Sequence, residues 1–159
     1  MQHTGAGFSA GLARLLDCRV EPKVIEAADE LELSKGTVMI APGANAHLVL
    51  EAQETLRCRL ETGDRVSGHR PSVDKLFISA AKIADRVTAV ILTGMGRDGA
   101  QGLLALKNAG ARTIGQDEKT SLIFGMPGAA AGLGAVEKSL PLSEIGPAIL
   151  KMSQIGGGQ

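Results

Sequence analysis

The feature that most constrains the fold is the stretch of residues 90–102, in which three local patterns follow one another. An apolar, β-branched run from Val90 to Thr93 predicts a strand. A loop with three glycines and one acid, Asp98, comes next, and a helical pattern resumes at Leu103. This order is typical of α/β proteins, in which loops at the carboxyl ends of parallel strands carry ligands and catalytic groups. Asp98 is therefore the first candidate for chemistry.

The composition limits which partners the chain can bind and which residues can form its core. The chain of 159 residues has 17 Lys and Arg against 17 Asp and Glu, so its formal net charge is zero. With 3 Phe and no Trp or Tyr, the core must be built from Ala, Val, Ile and Leu, and aromatic platforms for stacking bases are missing. Nucleic-acid binding is disfavoured. The length fits one domain, expected at residues 1–153, with residues 154–159 as a disordered tail.

Neither the cysteines nor the histidines have the spacing of metal ligands. Cys18 and Cys58 stand alone, and His3, His47 and His69 match no H-x-x-x-H pattern, so we expect no metal and no cofactor. The sequence has no signal-peptide pattern and no apolar run of about twenty residues. It therefore predicts a cytoplasmic protein with reduced thiols and no membrane insertion.

The second half of the chain predicts the fold class. Strands and helices alternate there, which favours a doubly wound α/β fold with a mostly parallel sheet and helices on both faces. The last strand is predicted at residues 135–137. Earlier in the chain, the unbroken apolar run at residues 37–41 predicts a strand that is covered on both faces.

Two segments of the first half depart from this simple scheme. Residues 47–51 and 55–60 are expected to form an antiparallel hairpin at an edge of the sheet, because apolar and arginine side chains alternate in the second of them. Residues 1–8 have the character of a loop at the end of a strand, yet no strand precedes them. The first strand and first helix of the fold are therefore expected to be missing from this chain.

The glycine loop allows three interpretations. Gly94, Gly96 and Gly99 match the G-x-G-x-x-G pattern between a predicted strand and a helix, which would suit a dinucleotide. Asp98 argues against this, since its carboxylate would face the pyrophosphate. The loop could instead be a catalytic loop that carries an acid. It could also be only a tight turn, with Asp98 capping the helix that follows.

The neighbouring sequence indicates a role for each of the remaining candidate functional residues. Residues 7–11 match the nucleophile-elbow pattern G-x-S-x-G, but an elbow needs a strand before its serine, so we take the match as accidental. His47 is expected to pack at the start of a strand. His69 and Arg70 either line a pocket or ride on the loop, and the second reading is slightly favoured. His3 suits a general base if an acid such as Asp98 orients it.

Several motifs together resemble one known family, the chemotaxis protein-glutamate methylesterase (CheB) catalytic domain. The resemblance runs from His3 to about Met152, with the motifs in the family's order and spacing. They are Gln2-His3, Gly7-Phe8-Ser9, Ile40-Ala41-Pro42-Gly43, His69-Arg70-Pro71-Ser72-Val73-Asp74, Ile91-Leu92-Thr93-Gly94-Met95-Gly96-Arg97-Asp98-Gly99 and Phe124-Gly125-Met126-Pro127.

The resemblance implies a Ser-His-Asp hydrolase that demethylates glutamyl methyl esters on methyl-accepting chemotaxis receptors and in some members deamidates glutamines. His3 matches the family's histidine, Asp98 its aspartate, and Met95 the residue whose backbone N–H helps to hold the oxyanion, flanked by Gly94 and Gly96. In the family the serine precedes the histidine in a Ser-Thr-Gly-Gly loop that this sequence lacks, as it lacks the receiver domain.

These departures leave three hypotheses about function. The first is a methylesterase domain that is inactive as this chain because the serine is absent. The second is a non-catalytic module that binds receptors. The third, less favoured, is a dinucleotide-binding enzyme built on Gly94, Gly96 and Gly99.

Overall fold

Two sets of elements follow one another along the chain, and each set forms a compact unit. The computed structural model describes residues 1–5, 7–43 and 45–155. Residues Met1–Ser79 form the first unit, and the second begins at Ala80. Residues 156–159 of the expected tail lie outside the described residues.

The first unit contains two pairs of strands. Its elements are α1 (Phe8–Asp17), β1 (Lys23–Glu26), β2 (Thr37–Ile40), β3 (His47–Ala52), β4 (Leu56–Glu61) and all but the last residue of α2 (Val73–Ala80). β1 and β2 pair in parallel, with Val24 opposite Val38. β3 and β4 pair antiparallel, with Val49 opposite Arg59, which confirms the predicted hairpin.

Small apolar residues build the core of the first unit. Ala27, Ala41, Leu48 and Cys58 form its buried centre, and partly buried leucines pack around them. The period-2 pattern of β4 places Cys58 inside, at 1% exposure. One expectation is wrong: β2 is not covered on both faces, since Val38 remains 40% exposed. A purely apolar run does not by itself specify which face finds a neighbour.

The second unit is a parallel α/β arrangement. Its elements are a 3-10 helix (Ala81–Arg86), β5 (Thr88–Ile91), α3 (Ala100–Asn108), β6 (Arg112–Gln116), α4 (Met126–Gly132), β7 (Lys138–Leu140) and α5 (Leu142–Ile155). The three strands are parallel in the order β5-β6-β7. Its buried centre includes Leu103, Leu106, Ile114 and Ala130, each at 0% exposure. The α/β class predicted from the sequence is confirmed.

The last strand lies later than predicted. Ala135 donates its N–H to Ala130 O (2.9 Å) and so closes α4, and Val136 packs against Gly115. Pairing with β6 begins only at Lys138. α5 continues through Ile155. Among the described residues, none of the helices combines the length and the apolar character required to cross a lipid bilayer.

Candidate active site

His3 lies against a second histidine at the wall of an open cavity. The rings of His3 and His69 stack with their centroids 3.9 Å apart and their planes 11° from parallel. The cavity has a volume of about 280 Å³, and Arg65 and Arg70 contribute to its lining beside the two rings. The structure therefore contradicts the preferred interpretation of His69 and Arg70 as residues that merely ride on a loop.

A hydrogen-bonded chain fixes the backbone that follows His3. Ser9 donates its hydroxyl to Glu26 Oε1 (2.5 Å) and accepts the Gly43 N–H (3.0 Å). Gly43 packs so closely on Gly5 that a side chain there would collide with the Gly5 carbonyl. Ser9 is 1% exposed and thus has a structural role, in line with the expectation that its G-x-S-x-G match is accidental.

His47 clamps both ends of the loop that carries His69. Its Nε2 bonds the Asp64 carbonyl oxygen (2.8 Å), and its Nδ1 accepts the Ser72 N–H (3.2 Å). Because the carbonyl can only accept and the amide can only donate, the ring is neutral with its proton on Nε2. His47 is 1% exposed at the first residue of β3. It packs at the start of a strand, as expected.

The glycine loop of the second unit is anchored to residues 123–126. Gly94 donates to Ile123 O (3.1 Å), and Met126 donates to Gly94 O (2.9 Å). The Thr93 hydroxyl adds two bonds, donating to Ile123 O (3.0 Å) and accepting the Ile123 N–H (2.9 Å). Buried Gln116 accepts the Thr93 N–H through Oε1 (2.8 Å). The motif Phe124-Gly125-Met126-Pro127 therefore serves to hold Gly94.

Positive φ angles explain two glycines of this loop. Gly96 has φ 90° and Gly99 has φ 89°, a region that other residues rarely adopt. Gly99 is the N-cap residue of α3, so Asp98 lies one position before the cap. Asp98 is 0% exposed, whereas Met95 is 77% exposed at the tip. Within the part of the chain that the structure describes, the Met95 N–H makes no hydrogen bond and can donate to an incoming acceptor.

The packing of this loop argues against a bound dinucleotide. A Cβ at Gly94 would collide with the Met126 thioether, and a Cβ at Gly125 would lie 2.6 Å from Gly94 O. The close approaches that require glycine are therefore to the chain's own segment 123–126. In a dinucleotide fingerprint the corresponding space belongs to the pyrophosphate.

The predicted site residues fall in both units. His3 belongs to the first, while Gly94, Met95, Gly96 and Asp98 share one loop of the second. Sequence reasoning gave no role to Arg65, and the short run Ser67-Gly68 beside His69 was the signal that could have found it, since it marks a tight turn. In the described ranges no group of three potential ligands could hold a metal ion.

Comparison with known proteins identifies the family. The CheB methylesterase family model matches residues 1–149. The chain is 51% identical over 153 residues to a protein-glutamate methylesterase/protein-glutamine glutaminase 1 from Caulobacter vibrioides, covering 96% of this chain and 44% of the relative. A relative from Agrobacterium fabrum is 50% identical with the same coverage. The crystal structure of the Thermotoga maritima CheB methylesterase catalytic domain superposes with a TM-score of 0.90 at 37% identity, covering 95% of this chain and 80% of that one.

A family match over most of the chain and a TM-score of 0.90 define a domain of the α/β class with the fold of that catalytic domain. The chain belongs to the CheB methylesterase family. It spans less than half the length of the curated relatives, at 44% of each of the two named above.

Proposed function

We propose that this chain supplies the general base and the oxyanion-binding loop of a protein-glutamate methylesterase. Its substrates would be glutamyl methyl esters on methyl-accepting chemotaxis receptors, and by extension from the names of its relatives, receptor glutamines. The observation that carries the proposal is the family match over residues 1–149, together with the position of His3 at an open cavity. The protein would act in the cytoplasm, joined in its full-length form to a receiver domain.

The proposed chemistry begins at His3. A serine ahead of His3 would attack the ester carbonyl while the imidazole takes the hydroxyl proton. When the tetrahedral intermediate collapses, the C–O bond to the methoxy group breaks and His3 returns the proton to the departing methanol. Water then attacks the acyl-enzyme with the same ring as base, which releases the glutamate carboxylate and regenerates the serine.

Two residues of the glycine loop would support these steps. Asp98 is proposed to orient the His3 ring and to stabilise the imidazolium, a role that suits a buried carboxylate. The exposed Met95 N–H would donate to the oxyanion. Gly94 and Gly96 would hold this N–H in place, because their backbone is fixed by segment 123–126 and by the positive φ at Gly96.

A chimera tests the proposal. The segment that precedes the matched region in the Caulobacter relative is joined to residue 1, and methanol release is measured from a peptide that contains one glutamyl methyl ester. We expect turnover from the chimera and none above background from the 159-residue chain. Asp98→Asn should lower kcat about 10⁴-fold, as loss of the equivalent acid does in serine proteases. The matched control is Asp85→Asn, at an exposed position of the 3-10 helix.

Three outcomes would contradict the proposal. Turnover by the 159-residue chain at the rate of the chimera would show that the nucleophile lies within these residues. Retention of a receptor fragment by a folded but inactive chimera would favour the non-catalytic receptor-binding module. Binding of NAD to the chain, measured by calorimetry, would restore the dinucleotide interpretation.

A further inference from the structure

Gln116 is a buried amide at the carboxyl end of β6, beside the glycine loop. It is the last residue of β6 and is 1% exposed. The backbone pairing of β5 with β6 ends one residue earlier, at Ile91 and Gly115. The Gln116 side chain accepts the Thr93 N–H through Oε1 (2.8 Å). It therefore holds the chain beyond β5 after the backbone pairing has ended.

The other end of this amide holds a second loop. Gln116 Nε2 donates to the Thr120 carbonyl oxygen (2.8 Å) and to Thr120 Oγ1 (3.3 Å). Because the Thr93 N–H can only donate and the Thr120 carbonyl can only accept, the amide has one possible orientation. Since the amide is buried, an amide atom that lost its partner would stay unsatisfied, which is costly.

These bonds belong to a closed ring at the base of the glycine loop. The Ile123 N–H donates to Thr93 Oγ1 (2.9 Å), and this hydroxyl donates to Ile123 O (3.0 Å). Ile123 follows Thr120 by three residues, so Gln116 and Thr120 complete the ring. Met95, at 77% exposure, follows Thr93 by only two residues. The ring therefore determines where the loop tip with Met95 begins.

Of the four residues in the ring, Gln116 alone lies in a strand. β6 is the central strand of the order β5-β6-β7, and Gln116 is paired there with Leu140 of β7. The loop itself is rich in glycine, which adds conformational freedom. An oxyanion donor lowers the barrier only if it is already in place when the charge develops. The sheet can supply this rigidity to the loop through Gln116.

Resting on the proposed function, we propose that Gln116 is the positioning residue for the oxyanion donor. Its amide fixes Thr93 and thereby places the Met95 N–H where the oxygen of the tetrahedral intermediate becomes charged. Because its side chain is buried, Gln116 acts through Thr93 and not on the substrate. An interaction that is stronger with the oxyanion than with the ester affects kcat more than KM.

Gln116→Met tests this role, because methionine keeps the length of the side chain and removes both bonds. In the active chimera we expect kcat to fall about 10- to 100-fold, below the effect of deleting an oxyanion donor outright, with KM unchanged. Gln116→Glu keeps an oxygen as acceptor for Thr93 and loses only the donor to Thr120. Its kcat should fall less, and it provides the comparison if Gln116→Met does not fold.

Thr113→Val is the matched control for lost stability. Thr113 lies three residues earlier on β6 at 0% exposure. Its hydroxyl also makes two bonds, donating to Ala135 O (2.7 Å) and accepting the Glu137 N–H (3.0 Å). These bonds hold the segment after α4 and not the glycine loop. Thr113→Val should lower the urea midpoint as Gln116→Met does, while kcat stays at the parent value.

NMR of the 159-residue chain separates this inference from the proposed function. The Met95 amide signal should shift in Gln116→Met and not in Thr113→Val, and hydrogen exchange at the Thr93 amide should accelerate only in the former. An inactive parent chimera with a shifted Met95 signal would contradict the proposed function and leave the link from Gln116 to Met95 standing.

Three results would overturn the inference. They are an unshifted Met95 amide in Gln116→Met, an equal fall in kcat for Gln116→Met and Thr113→Val, and a rise in KM with kcat unchanged.

Discussion

At the scale of single residues, Gly43 connects two sequence motifs through one close approach. An ideal Cβ at this position would overlap the Gly5 carbonyl and lie 2.9 Å from Thr4 O. These are backbone atoms, so they can make room only if the segment that follows His3 moves. The placement of the His3 ring therefore depends on the absence of a side chain at Gly43, forty residues further along the chain.

Gly43→Ala should displace the His3 ring and destabilise the fold. We expect a loss of about 1–3 kcal/mol, the usual cost of inserting a methyl group into a packed site, and a change in the ring-current shifts of His3 and His69. The measurements are urea unfolding and imidazole NMR. Gly11→Ala is the control, because nothing lies within 4 Å of a Cβ there and alanine favours the helix. Unchanged histidine shifts would show that the contact does not position His3.

Residue roles were only partly predictable from the sequence. The place of His47 at a strand start could be predicted, because an apolar run follows it. The stacking of His69 on His3 could not, because it joins positions 66 residues apart and leaves no periodic signal. The absence of a strand before Ser9 could be read from the sequence, whereas its bonds to Glu26 and Gly43 become visible only in the fold.

At the scale of elements, the glycine loop and segment 123–126 behave as one structural unit. An isolated parallel bridge joins Gly94, three residues after the end of β5, to Phe124. α4, which begins at Met126, was not predicted, because its Ala and Gly residues form no apolar stripe. β7 was predicted three residues early, since its register is determined by β6 and not by its own hydrophobicity.

Gly125→Ala should disturb the loop tip with Met95. The new methyl would lie 2.6 Å from Gly94 O and 3.0 Å from Gly96 N, so the loop must shift. We expect lower turnover in the active chimera, by about 10- to 100-fold if one oxyanion donor is misplaced. Gly132→Ala, at the other end of α4 where a Cβ meets nothing, should raise stability by about 0.5–1 kcal/mol. Equal turnover of both variants would remove the loop from the proposed mechanism.

His47→Phe should loosen the loop that it clamps. The ring shape is retained, but the Asp64 carbonyl and the Ser72 N–H lose their partner. Leaving such groups unsatisfied costs about 1–3 kcal/mol. Hydrogen exchange at the Ser72 amide should accelerate, and the midpoint of urea unfolding should fall. An unchanged exchange rate at Ser72 would mean that other contacts hold this loop.

At the scale of the whole molecule, the composition was the most informative feature of the sequence. Without Trp or Tyr, the buried residues are mainly Ala, Val, Leu and Ile, as expected. Alanines such as Ala100 and Ala130, at 2% and 0% exposure, lie in α3 and α4. The class of fold follows from the alternation of strand and helix patterns in the second half of the chain. The division into two units could not be predicted, because no linker composition marks residue 80.

The ion pair between Arg112 and Glu137 should make part of the chain's stability depend on pH. Arg112 donates two hydrogen bonds to Glu137, at 2.8 and 2.7 Å, and these bonds hold the pKa of that carboxyl below its ordinary value. A pKa that is lower in the folded state stabilises the protein above the ordinary glutamate pKa. This contribution is lost as the pH falls through the folded value.

Glu137→Gln should therefore lower the urea midpoint at about pH 7, and the difference from the parent chain should shrink at about pH 3. Glu118→Gln, at an exposed position without a side-chain partner among the described residues, is the control and should change little at either pH. If the urea midpoints of the variant and the parent chain still differ at low pH, the substitution acts by removing packing contacts and not by removing the charge.

The two cysteine thiols differ in exposure, so a dye can be attached to one of them selectively. Cys18 is exposed at the end of α1, whereas Cys58 is buried. Burial raises the pKa of the Cys58 thiol, which donates a hydrogen bond to Ala28 O (3.2 Å). A maleimide dye at neutral pH should label Cys18 alone, since thiolates react and buried thiols are inert. Because the chain has no Trp or Tyr, that dye would report peptide capture and unfolding against a dark background.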